Sequence, residues 1–403
     1  LFEFANLKNN GRPFFSRKIG LTATGENIGV NAGLRLSGYG QNWGFAALSM
    51  NTDDPNNAEN DKQLSVARGI YRPSQNLKIG AIITEGDPNT ENNNRTLGFD
   101  LDFQDTSIFD GQALNLGVWA QSNDDDIHTE DNQAWGLYAK YPNDIINLNF
   151  EFTELQKNFN PALGFVNRKD IRRFVSENRF RLHLNNYGIR LLDTSLNTYV
   201  QTDLNNKLAT ANTYWNYLNF TMESGDFLRL AFEHSIDDLK QDFLLLNQLP
   251  IEQGKFTYQR NWVIFNSSKS RWWQLDVRWN NGEFYNGERL SQSYEFNMQP
   301  TVHFNLGLKI QTDDMKIAEQ QLEITQYALK LDYIHSNKLS WQNYIQYDDL
   351  NKKLGLNSRL RWVYKPGFET NFSLMSNYLN PDEGSWKKQV EELYLTFSTM
   401  WLF

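Results

Sequence analysis

A chain of 403 residues with a mean hydropathy of -0.63 has no run apolar enough for a membrane-crossing helix, and its lack of cysteine excludes disulfides and thiolate chemistry. The net charge of -9 sits mostly in acidic loops, and no basic stripe is present to displace counterions, so nucleic acid is not expected as a partner. Aromatic residues at 14% and 12 tryptophans instead suit a membrane β-barrel with aromatic girdles, and only 10 prolines interrupt its short alternating segments.

Residues 1–27 are irregular and read as a lead-in with a first strand near 14–21, or as a short plug. The barrel is expected over 28–403. No basic segment followed by an apolar core opens the sequence, so a mature or truncated form is expected. Strands at 28–37 and 42–50 flank the turn 38–40, and further short turns fall at 73–76, 142–144, 185–186, 224–226, 267–270, 299–300, 336–338 and 366–367. Long polar connections alternate with them at 51–61, 85–94, 122–132, 155–170, 237–254, 280–288 and 380–388. Outer-membrane barrels have short periplasmic turns and long extracellular loops, so this alternation predicts a closed antiparallel all-β barrel of roughly 22 strands (range 18–22) with a periplasmic C-terminus.

Facing follows from the period of two. Ile146, Leu148, Phe150 and Phe152 oppose Asn147, Asn149 and Glu151, and Leu360 and Trp362 oppose Arg359 and Arg361. A charge at the lipid midplane costs about 2–4 kcal/mol, which turns the charged set inward. The lumen is therefore expected to carry Arg173, Glu177, Arg179, Arg181, Arg229, Glu233, Asp276, Arg278, Arg359 and Arg361. Opposite signs on adjacent strands favour an internal salt-bridge ladder over a charge-selective ring. The long connection at 155–170 holds Phe159, Asn160, Pro161, Gly164, Phe165, Arg168, Lys169 and Asp170. It reads either as a constriction loop or as a lid packed on the rim by its two phenylalanines. The chain closes on an apolar stripe of Leu393, Leu395, Phe397, Trp401 and Phe403, expected to face lipid and to pair with the first strand.

Catalytic chemistry finds little support. The five histidines have no Gly-x-Ser-x-Gly elbow beside them, and the acidic run Asp124, Asp125, Asp126 lacks the glycine and spacing of a calcium loop. Neither an enzyme nor a metal or cofactor is expected. Tyr39, Trp43 and Trp119 are sugar-stacking candidates if they point inward.

Three segments resemble one family: Arg12-Pro-Phe-Phe-Ser-Arg-Lys-Ile-Gly20, Phe159-Asn-Pro-Ala-Leu-Gly-Phe-Val-Asn-Arg-Lys-Asp170 with Arg172 and Arg173, and Asn357-Ser-Arg-Leu-Arg-Trp-Val-Tyr-Lys-Pro-Gly367. They are similar to the C-terminal outer-membrane barrel, a domain of unknown function, of Bacteroidota proteins that carry an N-terminal carbohydrate-binding family-9-like module. The resemblance implies a fold and a location rather than an activity. Two roles are expected from these readings. One is a non-enzymatic scaffold or accessory subunit of an envelope transport or assembly complex. The other is a diffusion channel or uptake port for solutes such as oligosaccharides. Outer-membrane lipid, lipopolysaccharide and protein subunits are the expected partners.

Overall fold

The computed structural model describes the chain except residues 1, 6, 8–9, 23–24, 110, 381–383 and 400–403. It is all-β and of antiparallel barrel class. Its described residues form 23 strands, of which 21 belong to the antiparallel ladder and two make a separate hairpin. By packing, the chain divides into two compact units, Leu1–Phe180 with Leu196–Asn212, and Arg181–Ser195 with Thr213–Phe403.

The first unit takes β1 (Val30–Tyr39), β2 (Trp43–Asp54), β3 (Asn57–Tyr71), β4 (Leu77–Glu85), β5 (Asn94–Phe109), β6 (Gln112–Asp125), β7 (Gln133–Pro142) and β8 (Ile146–Leu155). It also includes parts of β9 (Ile171–Asn186), β10 (Ile189–Thr202) and β11 (Leu208–Met222). From β1 to β9 each strand pairs antiparallel with the next.

The second unit takes the rest of those three strands and β12 (Phe227–Leu239), β13 (Phe243–Leu245), β14 (Leu249–Ile251), β15 (Gly254–Asn266), β16 (Trp273–Phe284) and β17 (Gly287–Thr301). It continues through β18 (Phe304–Ile317), β19 (Gln320–Ser336), β20 (Leu339–Asp348), β21 (Lys353–Lys365), β22 (Phe368–Leu379) and β23 (Lys387–Thr399). Here too the ladder joins sequence neighbours, with β12 passing directly to β15 because β13 and β14 pair only with each other.

Burial is inverted relative to a water-soluble protein. Arg68, Asp100, Thr84, Thr96, Gln121, Asn123 and Asn280 are buried, whereas Leu34, Phe99, Val118, Leu137, Phe150, Leu308, Leu360 and Phe372 are exposed. Register carries this pattern from strand to strand. Ile79, Leu101, Val118, Leu137, Phe152 and Phe174 form one continuous row on the apolar face of the first unit. In both units aromatic residues pair with one another on the apolar face. Trp43 stacks on Phe45 at 5.9 Å, Trp362 meets Tyr364 at 6.0 Å, and Tyr327 stacks on Tyr347 at 6.3 Å. Rings at both edges of an apolar band are the arrangement of interfacial girdles.

Several expectations need correction. No strand forms at 14–21; that stretch holds a 3-10 turn at Ser16–Lys18, and β1 starts only at Val30. Gly20 at φ +82° and the apolar Phe14 turn the segment aside, since Phe14 is buried among other side chains. Residues 51–61 and 280–288 are not loops. β2 runs to Asp54 and β3 restarts at Asn57, and β16 runs to Phe284 with β17 from Gly287. Their polar side chains misled the reading, because a backbone ladder can continue into water whatever its side chains. The connection at 237–254 is not simply polar either: it contains the β13–β14 hairpin. The terminal strand pairs with β22, and Leu393, Leu395 and Phe397 are 63%, 58% and 73% exposed opposite Leu374, Phe372 and Thr370. Trp401 and Phe403 lie outside the described residues.

Candidate functional site

The candidate site is the polar face of each unit with the segments folded onto it. In the first unit this face is built around glycines. Gly80 on β4 stands between Arg68 on β3 and Asp100 on β5, and a methyl group there would overlap both side chains. Its absence lets the guanidinium reach across a whole strand, with Arg68 Nη2 donating to Asp100 Oδ2 at 2.8 Å. Both side chains are almost fully buried. The Phe4 ring lies over this guanidinium at 5.3 Å and meets Trp119 edge-on at 6.3 Å. Gly98 leaves room for the same ring, since a Cβ there would sit 2.9 Å from it.

Phe4 belongs to the amino-terminal segment, which thus packs on the polar face rather than forming a strand. Phe4 and Phe14 share a buried cluster with Leu64, Val66, Ile82, Trp119, Leu155, Phe159 and Leu163. Gln121 Nε2 donates to the Gly11 carbonyl at 2.7 Å and fixes the segment to the wall.

The loop at 156–170 closes over that segment. Arg12 and Phe165 exchange backbone hydrogen bonds of 3.1 and 2.9 Å, and the Phe15 amide donates to the Leu163 carbonyl at 2.8 Å. Asn10 Oδ1 accepts from the Asn167 amide at 2.7 Å, while its Nδ2 donates to the Arg168 carbonyl at 2.9 Å. From the wall, Asn123 Oδ1 accepts from the Asn160 amide at 2.8 Å, and Asn94 bridges the Asn160 carbonyl and the Ala162 amide. Buried asparagines that satisfy a loop's backbone are the physical means of holding an irregular segment out of water. Gly164 is required for the approach, because a Cβ there would overlap the Arg12 carbonyl oxygen and come within 2.8 Å of Pro161.

Of the predicted loop residues, Phe159 is fully buried, and Pro161 and Gly164 are buried beside it. Phe165 is only half-buried, tilted against Phe15 at 5.4 Å. One phenylalanine, not two, anchors the loop, and the second packs on the amino-terminal segment. Arg168 reaches the Gln201 side chain at 2.9 Å when that amide turns its oxygen inward, whereas Lys169 and Asp170 are exposed.

The predicted inward charges share the polar face within their strands. Arg173 donates to Thr153 at 3.3 Å, and Glu177 accepts from Asn149 at 3.1 Å. Arg179 reaches the Asp144 carbonyl at 3.5 Å, and Arg181 pairs with Asp193 at 2.7 Å. Arg229 donates to Asn219 at 2.9 Å, and Asp276 accepts from Asn266 at 2.6 Å. Glu233 pairs with Arg260 at 2.8 Å and accepts from Trp262 Nε1 at the same distance. Arg361 pairs with Glu369 at 2.7 Å and Arg359 donates to Asn371 at 2.8 Å. Arg278 is exposed on the same face. Of the set, Arg181, Glu233 and Arg361 sit in short ion pairs, while Arg173, Glu177, Arg179, Arg229, Asp276 and Arg359 hydrogen-bond neutral side chains or backbone.

At the long-loop end of the second unit, Leu249 and Ile251 of the hairpin pack on Tyr258, Phe284, Met315, Ile317 and Ile324. At the short-turn end, the Asp226 carboxylate takes both arms of the Arg271 guanidinium, the Ser224 hydroxyl at 2.7 Å and the Ser268 amide at 2.8 Å. The Arg271 hydrogen bonds, helped by the serine donors, hold this carboxyl well below the usual carboxylate range. The described residues contain no cluster of three or more metal-ligating side chains.

Sequence reasoning missed Phe4, Phe14, Arg68 and the hairpin. Arg68 did carry a signal, as the lone charge in Val66-Ala-Arg-Gly-Ile70, and so did Phe2 and Phe4, alternating with Glu3 at the start of the lead-in. Of the aromatic candidates, Trp119 lies on the polar face under Phe4, whereas Trp43 stacks on the outer face.

No protein-family model and no curated protein matches the chain. Among solved structures it is similar to the ferric enterobactin receptor PfeA of Pseudomonas aeruginosa, with 10% identity, 88% of this chain and 72% of that chain covered, and a TM-score of 0.49. It is similar as well to the ferric yersiniabactin uptake receptor FyuA of Yersinia pestis (11% identity, 91% and 68% covered, TM-score 0.39). A third is the siderophore receptor PirA of Acinetobacter baumannii (8% identity, 90% and 70% covered, TM-score 0.42). At these values the likeness carries no inference about what this chain binds or transports.

Proposed function

We propose that the chain is a closed outer-membrane β-barrel, obstructed from within by its own segments, that serves as a non-enzymatic scaffold or accessory subunit of an envelope transport or assembly complex. The inverted burial supports the membrane location, since an exposed apolar band edged by aromatic rings is stable only against lipid, including lipopolysaccharide. Closure follows from the cost of unpaired backbone groups in lipid, several kcal/mol each. The short turns then face the periplasm, and the C-terminus with them.

The observation that carries the obstructed reading is the cover over the first unit's polar face. Phe4, Phe14, Phe159 and Leu163 fill it with apolar side chains that a freely conducting pore would leave wet. Barrels of this size are wide and are ordinarily plugged, and here the plugging material comes from the chain itself. Two of the three family-like segments, 12–20 and 159–170, meet at the Arg12–Phe165 bridge, so the resemblance falls on the obstruction.

A diffusion channel or uptake port is the second reading, favoured by Arg278, Lys309 and Arg359, which stay exposed on the polar face of the second unit. Planar-bilayer recording of the purified chain separates the two. Steady openings of nanosiemens scale would sink the obstructed reading, and quiet membranes would sink the channel. Affinity capture from native membranes that yields this chain alone would remove the accessory role.

A further inference from the structure

The apolar face of the second unit carries four half-exposed rings at the short-turn end of β19 to β21: Tyr333, Trp341, Trp362 and Tyr364. Register joins them to the band below. Tyr333 pairs across with Trp341, Trp341 with Leu360, and Leu360 with Phe372. Tyr364 meets Trp362 at 6.0 Å and Phe368 at 5.5 Å.

Two lysines cap this patch. Lys365 lies over the Phe368 ring at 4.1 Å and over the Tyr364 ring at 5.8 Å. Lys338 stands in the neighbouring turn, where its carbonyl accepts from the Val363 amide at 2.7 Å and ties that turn to β21. Both lysines are exposed, and neither has a carboxylate partner among the described residues. The carboxylates of this stretch, Asp332 and Glu369, lie on the polar face, where Lys330 holds the first at 3.2 Å and Arg361 the second at 2.7 Å. The opposite end of β18 and β19 is acidic instead, with Asp313, Asp314, Glu319 and Glu323 against Lys316.

Unpaired cations above a ring-edged apolar strip are the complement of an anionic head on acyl chains. Trp and Tyr settle at headgroup level, the ring at the hydrocarbon boundary and the polar tip in water. An acidic soluble protein would use the lysines but not the rings that run on into the apolar band. A zwitterionic headgroup would bring a cation of its own to a place without a free carboxylate. We propose that this end of β19 to β22 seats the headgroup of an anionic phospholipid, its phosphate between Lys338 and Lys365 and its chains along Trp341, Trp362 and Leu360.

The folded full-length chain in detergent is titrated with dioleoyl phosphatidylglycerol and dioleoyl phosphatidylcholine, which share their tails, and retained lipid is read by native mass spectrometry. Phosphatidylglycerol is expected to bind the more tightly. Each lysine beside an anionic lipid surface raises affinity about fivefold, so Lys338→Ala with Lys365→Ala should weaken binding about 30-fold. Lys338→Arg with Lys365→Arg should keep it, and Lys316→Ala, at the other end of the same sheet, should leave it unchanged. Heat-modifiable gel mobility confirms folding; if the double alanine variant does not fold, Lys338→Gln and Lys365→Gln singly carry the test, each about fivefold weaker. The proposal rests on the reading that this face lies in lipid, and the two fail differently. A chain that retains neither lipid refutes both, whereas equal retention of the two refutes the headgroup site alone. The site is equally refuted if the lysine variants bind like the parent, if glycerol phosphate competes with the lipid on equal terms, or if hexaglutamate binds these lysines more tightly than phosphatidylglycerol does.

Discussion

The clamp between the amino-terminal segment and the loop at 156–170 rests on one glycine, and Gly164→Ala tests it. The added methyl overlaps the Arg12 carbonyl oxygen, so the backbone pair of Arg12 and Phe165, at 3.1 and 2.9 Å, cannot persist. Two hydrogen bonds contribute about 0.5–1.5 kcal/mol each, hence about 1–3 kcal/mol favouring the closed arrangement. That corresponds to an increase of about five- to 150-fold in the population of the opened state. The chain has no cysteine, so one placed at Ala134, which is fully buried beneath the loop, reports opening through its maleimide labelling rate. Under fast reclosing the rate follows the opening equilibrium. Gly164→Ala should accelerate labelling by that factor while the gel mobility of the folded barrel stays the same, because no ladder strand is touched. An unchanged rate in a folded variant would refute the clamp, since Phe159 would then hold the loop by itself.

Three other outcomes follow from the same geometry. Asp100→Ala leaves the Arg68 guanidinium buried and unpaired, and should cost about 3–5 kcal/mol in urea unfolding; Arg68→Met with Asp100→Leu should recover most of it, and a neutral single variant would argue against the pair. Phe372→Arg, on the exposed row with Leu360 and Leu395, should lower the free energy of folding into vesicles by about 2–4 kcal/mol, whereas equal stability would mean that this row does not face lipid. Asp226 has a folded pKa below its unfolded value of about 3.9, so its stabilisation is complete above that value and fades only as pH falls towards the folded one. The stability gap between the parent and Asp226→Asn, measured by thermal melting, should therefore be constant from pH 7 to about 5 and narrow below about 4; a gap that closes already at pH 5 would contradict the Arg271 clamp.

Much of the fold was legible because alternation with a period of two is a local property. The row Leu228, Leu230, Phe232 against Arg229 and Glu233 needs no knowledge of any neighbour, and register then places Glu233 opposite Arg260. Strand ends were less legible. Asp53, Asp54, Asn280 and Asn281 read as loop by composition, yet they continue ladders whose backbone hydrogen bonds are indifferent to side-chain polarity. The first strand failed for the opposite reason. Phe14 and Ile19 look like strand residues, but their apolar groups find partners in a cluster assembled from distant parts of the chain.

The sequence by itself determined the class of this protein and which of its faces is apolar. Both depend on spacing along one strand and on the cost of placing a charge in hydrocarbon. Tertiary structure alone decided what covers the polar face. Phe4 reaches Arg68 across 64 positions of sequence, and Gly98 and Gly80 matter only because a ring and a guanidinium from elsewhere pass over them. A cover made of a lead-in segment and a loop over one wall has no signature in local pattern. It exists only when segments far apart in the chain are brought to the same place.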